Sequence, residues 1–258
     1  EGQIKMLDAY AGVRPLQGWA LRIGQMRVPF SIDAHRSPHK QFFANRSFIA
    51  KQVGNVRDVG LYGSYRFSDV PLTIEAGAFN GSGLTNQKDY WTRSLNFSAK
   101  AQYKPWQGLT LQASVQKISP AGGATYLYDA GLTLQCGRWT VEGEYLRKHY
   151  TDPLFKDVNA WDAFVCYDLP LRRAFRKVSF LARYDCMGNH SDGSLTESGT
   201  LKLTDAERQR VTGGITLSMA KEMNADIRLN YEKYFYRDAS LAKPSELDKA
   251  VVELVVHF

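Results

Sequence analysis

The sequence predicts an all-β chain forming a single transmembrane antiparallel β-barrel, and three observations carry that prediction. Apolar and polar residues alternate over long runs through most of the 258 residues, the period of a strand with one apolar face. After the first strand the links between these runs alternate short and long, as they do where a barrel has tight turns on one side of a membrane and loops on the other. Aromatic residues make up 12% of the chain, with 14 Tyr, 13 Phe and 5 Trp, a supply suited to girdles at two membrane interfaces.

Each strand is read from its alternation. Leu7, Ala9, Ala11 and Val13 oppose Asp8, Tyr10 and Gly12. A short link, 14–17, leads to Trp19, Leu21 and Ile23 opposing Arg22, with the phase unsettled past Gly24 as at a bulge and Pro29 near the rim. After a long connection, Val59, Leu61, Tyr65 and Phe67 oppose Asp58, Tyr62, Ser64 and Arg66. The tight link 68–71 precedes Leu72, Ile74, Ala76 and Ala78, which oppose Thr73 and Glu75. A polar connection (80–89) leads to Leu95–Tyr103 alternation around Lys100, and the link PWQG to Leu109, Leu111, Ala113 and Val115. Tyr126, Tyr128, Ala130, Leu132 and Leu134 join Trp139, Val141 and Tyr145 through Gly137-Arg138. Trp161, Ala163, Val165 and Tyr167 oppose Asp162 and Asp168; Val178, Phe180, Ala182 and Tyr184 oppose Arg183 and Asp185. A polar loop follows over 188–205. Val211, Ile215, Leu217 and Met219 oppose Arg210; Ala225, Ile227, Leu229 and Tyr231 oppose Arg228; Ala250 to Phe258 alternate to the end.

That gives about 13 strands in this chain, against the even count usual for closed bacterial barrels. If Phe258 is periplasmic, parity places one or three strands before Glu1, for a total of about 14 or 16. The expectation is therefore one domain over 1–258, incomplete at its amino end, because open edges in hydrocarbon leave backbone groups unpaired.

Composition narrows the alternatives. No apolar run approaches the roughly 18 residues a transmembrane helix needs. Mean hydropathy is below zero, as expected where lumen-facing polar residues dilute a lipid-facing set. The net charge of +7 is spread without a Lys/Arg block, which argues against nucleic acid as a partner. Cys136, Cys166 and Cys186 show no metal or redox spacing. His35 and His39 are four apart but lack an evident third ligand, so no metal and no cofactor are expected. No charged and apolar leader precedes the first strand.

The connection over 31–56 stands apart, since loops beyond about 15 residues are usually functional or disordered, and this one is aromatic and basic. It carries Arg36, Lys40, Arg46 and Lys51, with His35 and His39, against a single acid, Asp33; Arg57 follows at once. If it folds into the lumen it forms a positive constriction, and rings of Arg and Lys select anions. If it does not, it is a solvated or protein-facing basic loop. The wall is more balanced. Arg22, Arg66, Lys100, Arg183, Arg210 and Arg228 face the lumen beside a comparable number of acids, as cross-strand ion pairs would. The wall alone makes no anion channel.

The segments DAYAG (8–12), RIGQMRVPFSID (22–33), FFANRSF (42–48) and RDVGLYG (57–63) occur in that order. Together they resemble the phosphate-selective porin O/P family of outer-membrane barrels. The resemblance implies a sixteen-stranded, usually trimeric barrel in the bacterial outer membrane, passing small anions such as phosphate through arginines and lysines. It carries over to two matched positions, Arg46 and Arg57, either of which could line the pore or brace the loop. It also implies that the terminal Phe258 is a barrel-assembly signal.

The leading functional expectation is a porin for passive diffusion of small hydrophilic solutes, anionic or neutral, with a possible phosphate preference. The alternative is a structural or partner-binding subunit of a larger outer-membrane complex, in which Phe42, Phe43 and Phe48 plug or dock. No enzyme is expected: there is no GxSxG elbow, and His190, Ser191 and Asp192 lie in a polar loop.

Overall fold

The computed structural model describes residues 7–52, 57–80, 95–119, 123–172, 175–219 and 224–256, without the side chains of Lys51, Gln52 and Asp192. Phe258 and most of the polar connection 80–89 lie outside the described residues. Thirteen strands form one antiparallel sheet. They are β1 (Ala9–Val13), β2 (Trp19–Arg27), β3 (Arg57–Arg66), β4 (Leu72–Phe79), β5 (Asn96–Trp106), β6 (Leu109–Ile118), β7 (Thr125–Cys136), β8 (Trp139–Tyr150), β9 (Val158–Pro170), β10 (Phe175–Met187), β13 (Arg208–Met219), β14 (Ala225–Tyr236) and β15 (Lys249–Val256). Strands consecutive in sequence are neighbours in the sheet, except that β10 pairs with β13 across an inserted stretch. Among the described residues β1 and β15 are not paired with each other.

The stretch read from sequence as a loop over 188–205 contains a second, two-stranded sheet of β11 (His190–Leu195) and β12 (Leu201–Asp205). Its strands are short, and its turn is closed by Gly199, at φ +77°, and by mutual hydrogen bonds of Thr196 and Thr200. Alternation over so few residues is too weak to separate strand from loop.

The alternation has the physical meaning expected of it. Large apolar side chains stand largely exposed on the outer face: Val252 is 73% exposed, Leu254 64% and Ile23 64%. The inner face holds the buried charges, Lys100, Glu142, Glu144, Asp162, Arg183, Asp185, Arg210 and Glu232. A water-soluble protein rarely shows so much exposed apolar surface, whereas lipid makes it the favourable arrangement. Aromatic pairs cluster where the apolar band meets headgroups. At the short-turn end Trp19 packs on Tyr65 at 4.9 Å and Trp139 on Tyr167 at 4.7 Å; toward the long-loop end Tyr145 packs on Trp161 at 4.3 Å.

The inner face is not polar throughout. Near the long-loop ends Phe79, Ile118, Leu127, Leu146, Val158, Ala160 and Met187 form a buried apolar cluster with Phe30, Phe48 and Ile49 of the 28–52 segment. Strict alternation hid this, because these inward positions are apolar beside apolar outward neighbours, as in Tyr126-Leu127-Tyr128. Phe79 also folds back over the glycines of the neighbouring ladder: a Cβ on Gly77 would meet its ring at 2.6 Å. Gly77→Val should therefore displace the buried Phe79 and cost about 1–3 kcal/mol, read as a lower urea midpoint for unfolding in phospholipid vesicles.

Candidate functional site

The site is built where segment 28–52 meets the inner face. The segment leaves β2 through Pro29, whose missing N–H suits the end of a ladder. It makes one 3₁₀ turn at Pro38–Lys40 and one short helix, α1 (Phe48–Gln52). An irregular backbone buried this way must find partners for its own N–H and C=O groups, and the wall supplies them. On β8, Glu144 accepts from Ser31 Oγ at 2.5 Å, Ile32 N at 2.6 Å and Asp33 N at 3.2 Å. Ser31 holds φ at +64°, a conformation uncommon outside glycine, and its N–H donates to Ser114 Oγ on β6 at 3.1 Å. Ser98 on β5 donates to Pro29 O at 2.7 Å, and Ala44 N donates to Asn230 on β14 at 2.7 Å.

Sheet register places a second anchor. Asp185 on β10 lies opposite Arg210 on β13, which lies opposite Tyr234 on β14. Arg210 grips Asp185 through Nε at 3.0 Å and Nη2 at 2.6 Å, and donates to Arg46 O at 2.8 Å. Asp185 also accepts from Phe48 N at 3.0 Å, at the start of α1, while Ser47 Oγ caps the helix by accepting from Ala50 N at 3.2 Å. A carboxylate and a hydroxyl so placed satisfy donors that a helix start leaves open. Phe48 lies under Arg208 and Arg210, 4.9 and 4.7 Å from ring centre to guanidinium, a cation–π arrangement.

The sequence-predicted basic residues divide by what they touch. Arg36 donates to Glu142 at 2.5 and 2.6 Å and pairs with Asp33 at 3.3 Å. Burial alone would pull its pKa down, but these carboxylates outweigh that and raise it. Arg46 braces the segment from within, donating to the carbonyls of Asp33 and Arg36. Arg57 lies in β3 and pairs with Asp8 at 3.0 Å. Lys40 is exposed on the 3₁₀ turn. The side chain of Lys51 lies outside the described residues, as does Phe258. On the wall, Lys100 pairs with Glu75, Arg183 donates to Asn45 O at 2.9 Å, and Arg228 pairs with Glu253 at 2.9 Å and donates to His39 O at 3.4 Å. Arg22 lies over Tyr10 and Tyr62, and Arg66 is exposed. Among the described residues no cluster of His, Cys, Asp or Glu could hold a metal.

A cavity of about 740 Å³ opens at the short-turn end, lined by Ile32, Arg36, Lys40, Phe42, Gln102, Lys104, Trp106, Gln112, Thr133 and Glu142 among others. A smaller one of about 180 Å³ adjoins it at Lys40 and Phe42, lined also by Asp168, Arg176, Lys177, Asp226 and Arg228. A family model for phosphate-selective porin O and P matches residues 1–152. The chain belongs to that family. It is an outer-membrane porin, a channel for small solutes in the bacterial outer membrane.

Solved barrels share its fold at low identity. OmpF of Salmonella typhi, in complex with daunomycin, superposes with a TM-score of 0.66 at 12% identity, over 96% of this chain and 76% of that one. OmpT of Vibrio cholerae gives 0.59 at 12%, over 88% and 69%. OprD of Pseudomonas aeruginosa gives 0.52 at 10%, over 95% and 68%. No curated protein sequence matches the porin.

The cations of this region stand out in the sequence, whereas nothing in its pattern marks the acids that seat the segment, Glu144 and Asp185, or the apolar roof. Glu144 was one carboxylate among many on a polar face; only the path of the segment distinguishes it. Asp185→Ala leaves the buried Arg210 with one carboxylate, Glu232 at 3.3 Å, beside the neutral acceptors Arg46 O and Tyr234 Oη. Loss of one partner of a buried pair costs about 3–5 kcal/mol, expected as a lower urea unfolding midpoint, with Arg210→Met partly restoring it in the double variant.

His35 gives the pH prediction. Burial, then nearby Lys100, lowers its pKa from 6.5 to about 4, so the folded segment resists a proton that the unfolded chain accepts. The stabilisation is complete above pH 6.5 and is lost as pH falls from 6.5 toward 4. His35→Gln should flatten that part of the curve of unfolding midpoint against pH.

Proposed function

We propose that the porin passes small hydrophilic anions of about phosphate size by diffusion, as a homotrimer, with segment 31–56 forming the constriction. The observation that carries this reading is the division of labour among the cations. Arg46, Arg57, Arg183 and Arg210 are held by carboxylates or carbonyls, so they brace the segment and the wall. Lys40 and Lys104 are exposed and line the open cavity beside Arg36, whose partner Glu142 is the acid there. The adjoining cavity adds Arg176, Lys177 and Arg228 against Asp168 and Asp226. A narrow passage with an excess of fixed positive charge concentrates anions. Uncharged Gln102, Gln112, Gln135 and Thr133 complete the lining and offer hydrogen bonds to hydrated solutes.

The reading of a partner-docking barrel draws no support from the aromatic residues of the segment. Phe42 and Phe43 pack on Phe164 of β9, and Phe48 sits in the apolar roof. All three are committed to the inside of the barrel.

Reversal potentials across planar bilayers in a KCl gradient test the proposal. The wild-type channel should prefer chloride, and phosphate should lower its chloride current by competition. Lys40→Glu combined with Lys104→Glu should shift the reversal potential toward potassium while leaving folding intact. Arg46→Ala should leave selectivity in place and raise current noise, because it loosens the segment. A cation-selective wild-type channel would discard the anion preference and keep the pore.

A further inference from the structure

Passage of bare phosphate would use only part of the cavity at the short-turn end. Its volume of about 740 Å³ falls within the roughly 300–1,000 Å³ that encloses small organic molecules. Its cations stand at two sides of it. Lys104 lies on β5, while Arg36 reaches from the segment to Glu142 on β8 at 2.6 Å. Three strand spacings, about 14 Å, separate β5 from β8. The lining contributed by the strands between them, β6 and β7, carries no charge.

Register sets out this neutral lining in rows. Gln112 on β6 lies opposite Gln102 on β5, and the two amides bond at 2.8 Å. Thr110 on β6 lies opposite Thr133 on β7, whose hydroxyl donates to Glu142 at 2.9 Å. Gln135 follows two residues further along β7, about 7 Å on, and is exposed. Trp106, 61% exposed, lines the same cavity. The result is a patch of carboxamides and hydroxyls with an aromatic ring beside it, bordered by cations.

We propose that this cavity is a binding site for a phosphorylated sugar, a phosphate monoester on a polyhydroxyl body. Such a site presupposes the anion passage proposed above and adds a second, larger class of solute. The phosphate lies against Lys40 and Lys104, and the sugar hydroxyls bond to the amides and hydroxyls of β6 and β7. Trp106 offers an apolar face to the sugar ring's C–H groups. Charge supports the same class. Three cations against the single carboxylate Glu142 leave a net charge of +2 on the lining, and a phosphate monoester carries about −1.5 to −2 at pH 7. A neutral sugar would leave that charge unanswered, and inorganic phosphate would leave the amide patch to water.

The test is chloride current through the folded channel in planar bilayers, with glucose 6-phosphate, inorganic phosphate or glucose added. Glucose 6-phosphate should half-block the current at a concentration about tenfold below that of inorganic phosphate, the effect of one or two additional hydrogen bonds. Glucose should block more weakly than either. Trp106→Ala with Gln135→Ala, both at exposed positions, should remove most of the tenfold preference. Lys40→Glu with Lys104→Glu should weaken block by both phosphates together. Each variant is first shown to be folded by its heat-modifiable mobility on gels. Equal block by glucose 6-phosphate and inorganic phosphate, or a preference unchanged in the Trp106 and Gln135 double variant, overturns the sugar site and keeps the anion channel. A chloride current that neither phosphate lowers overturns both.

Discussion

An irregular stretch of backbone inside a barrel cannot leave its amides unpaired, and much of this porin's interior follows from that constraint. The 28–52 segment has no ladder of its own, so side chains of the wall replace one. Glu144 takes three donors, Asp185 takes a helix start, and Arg210 and Arg183 donate to carbonyls. Charges that look like pore lining are therefore largely structural. Their number follows from the length of backbone to be satisfied, and what is left over decides the electrostatics seen by a solute.

The apolar roof complements this polar seating. Hydrogen bonds fix where each residue of the segment lies, but exchanging water for protein partners stabilises only modestly. Burial of Phe30, Phe48 and Ile49 against Ile118, Leu127, Leu146 and Met187 supplies the non-directional part of the attraction. The inner face is thus divided by depth, with apolar contact near the long loops and polar anchoring below it. The short-turn end of the passage is left to Lys40, Lys104 and uncharged polar groups.

Much of the fold was legible in the sequence because a lipid-facing strand repeats every two residues, and the thirteen strands of the main sheet follow from residues such as Trp161-Asp162 and Tyr184-Asp185. The β11–β12 hairpin was not, since its strands are only six and five residues long. For the site, the basic character of 31–56 was visible, but the partner of each cation was not. Arg36 and Lys40 are four residues apart with the same charge, yet one is locked to Glu142 and the other opens into the cavity. Only the path of the chain across β8 separates them. Nor could alternation flag the inward apolar positions, because Leu127 between two tyrosines breaks no rule that a single strand obeys.

The anchors of the segment fall on β5, β6, β8, β10, β13 and β14, strands that meet only their immediate neighbours in the sheet. A hollow cylinder of hairpins resists stretching along its strands but ovalises readily under sideways load. Spokes fixed to points well separated around the wall oppose that deformation, as bracing does in a thin-walled tube. A segment anchored in this way is also an internal stiffener of the wall, opposing its distortion when lateral pressure in the bilayer changes.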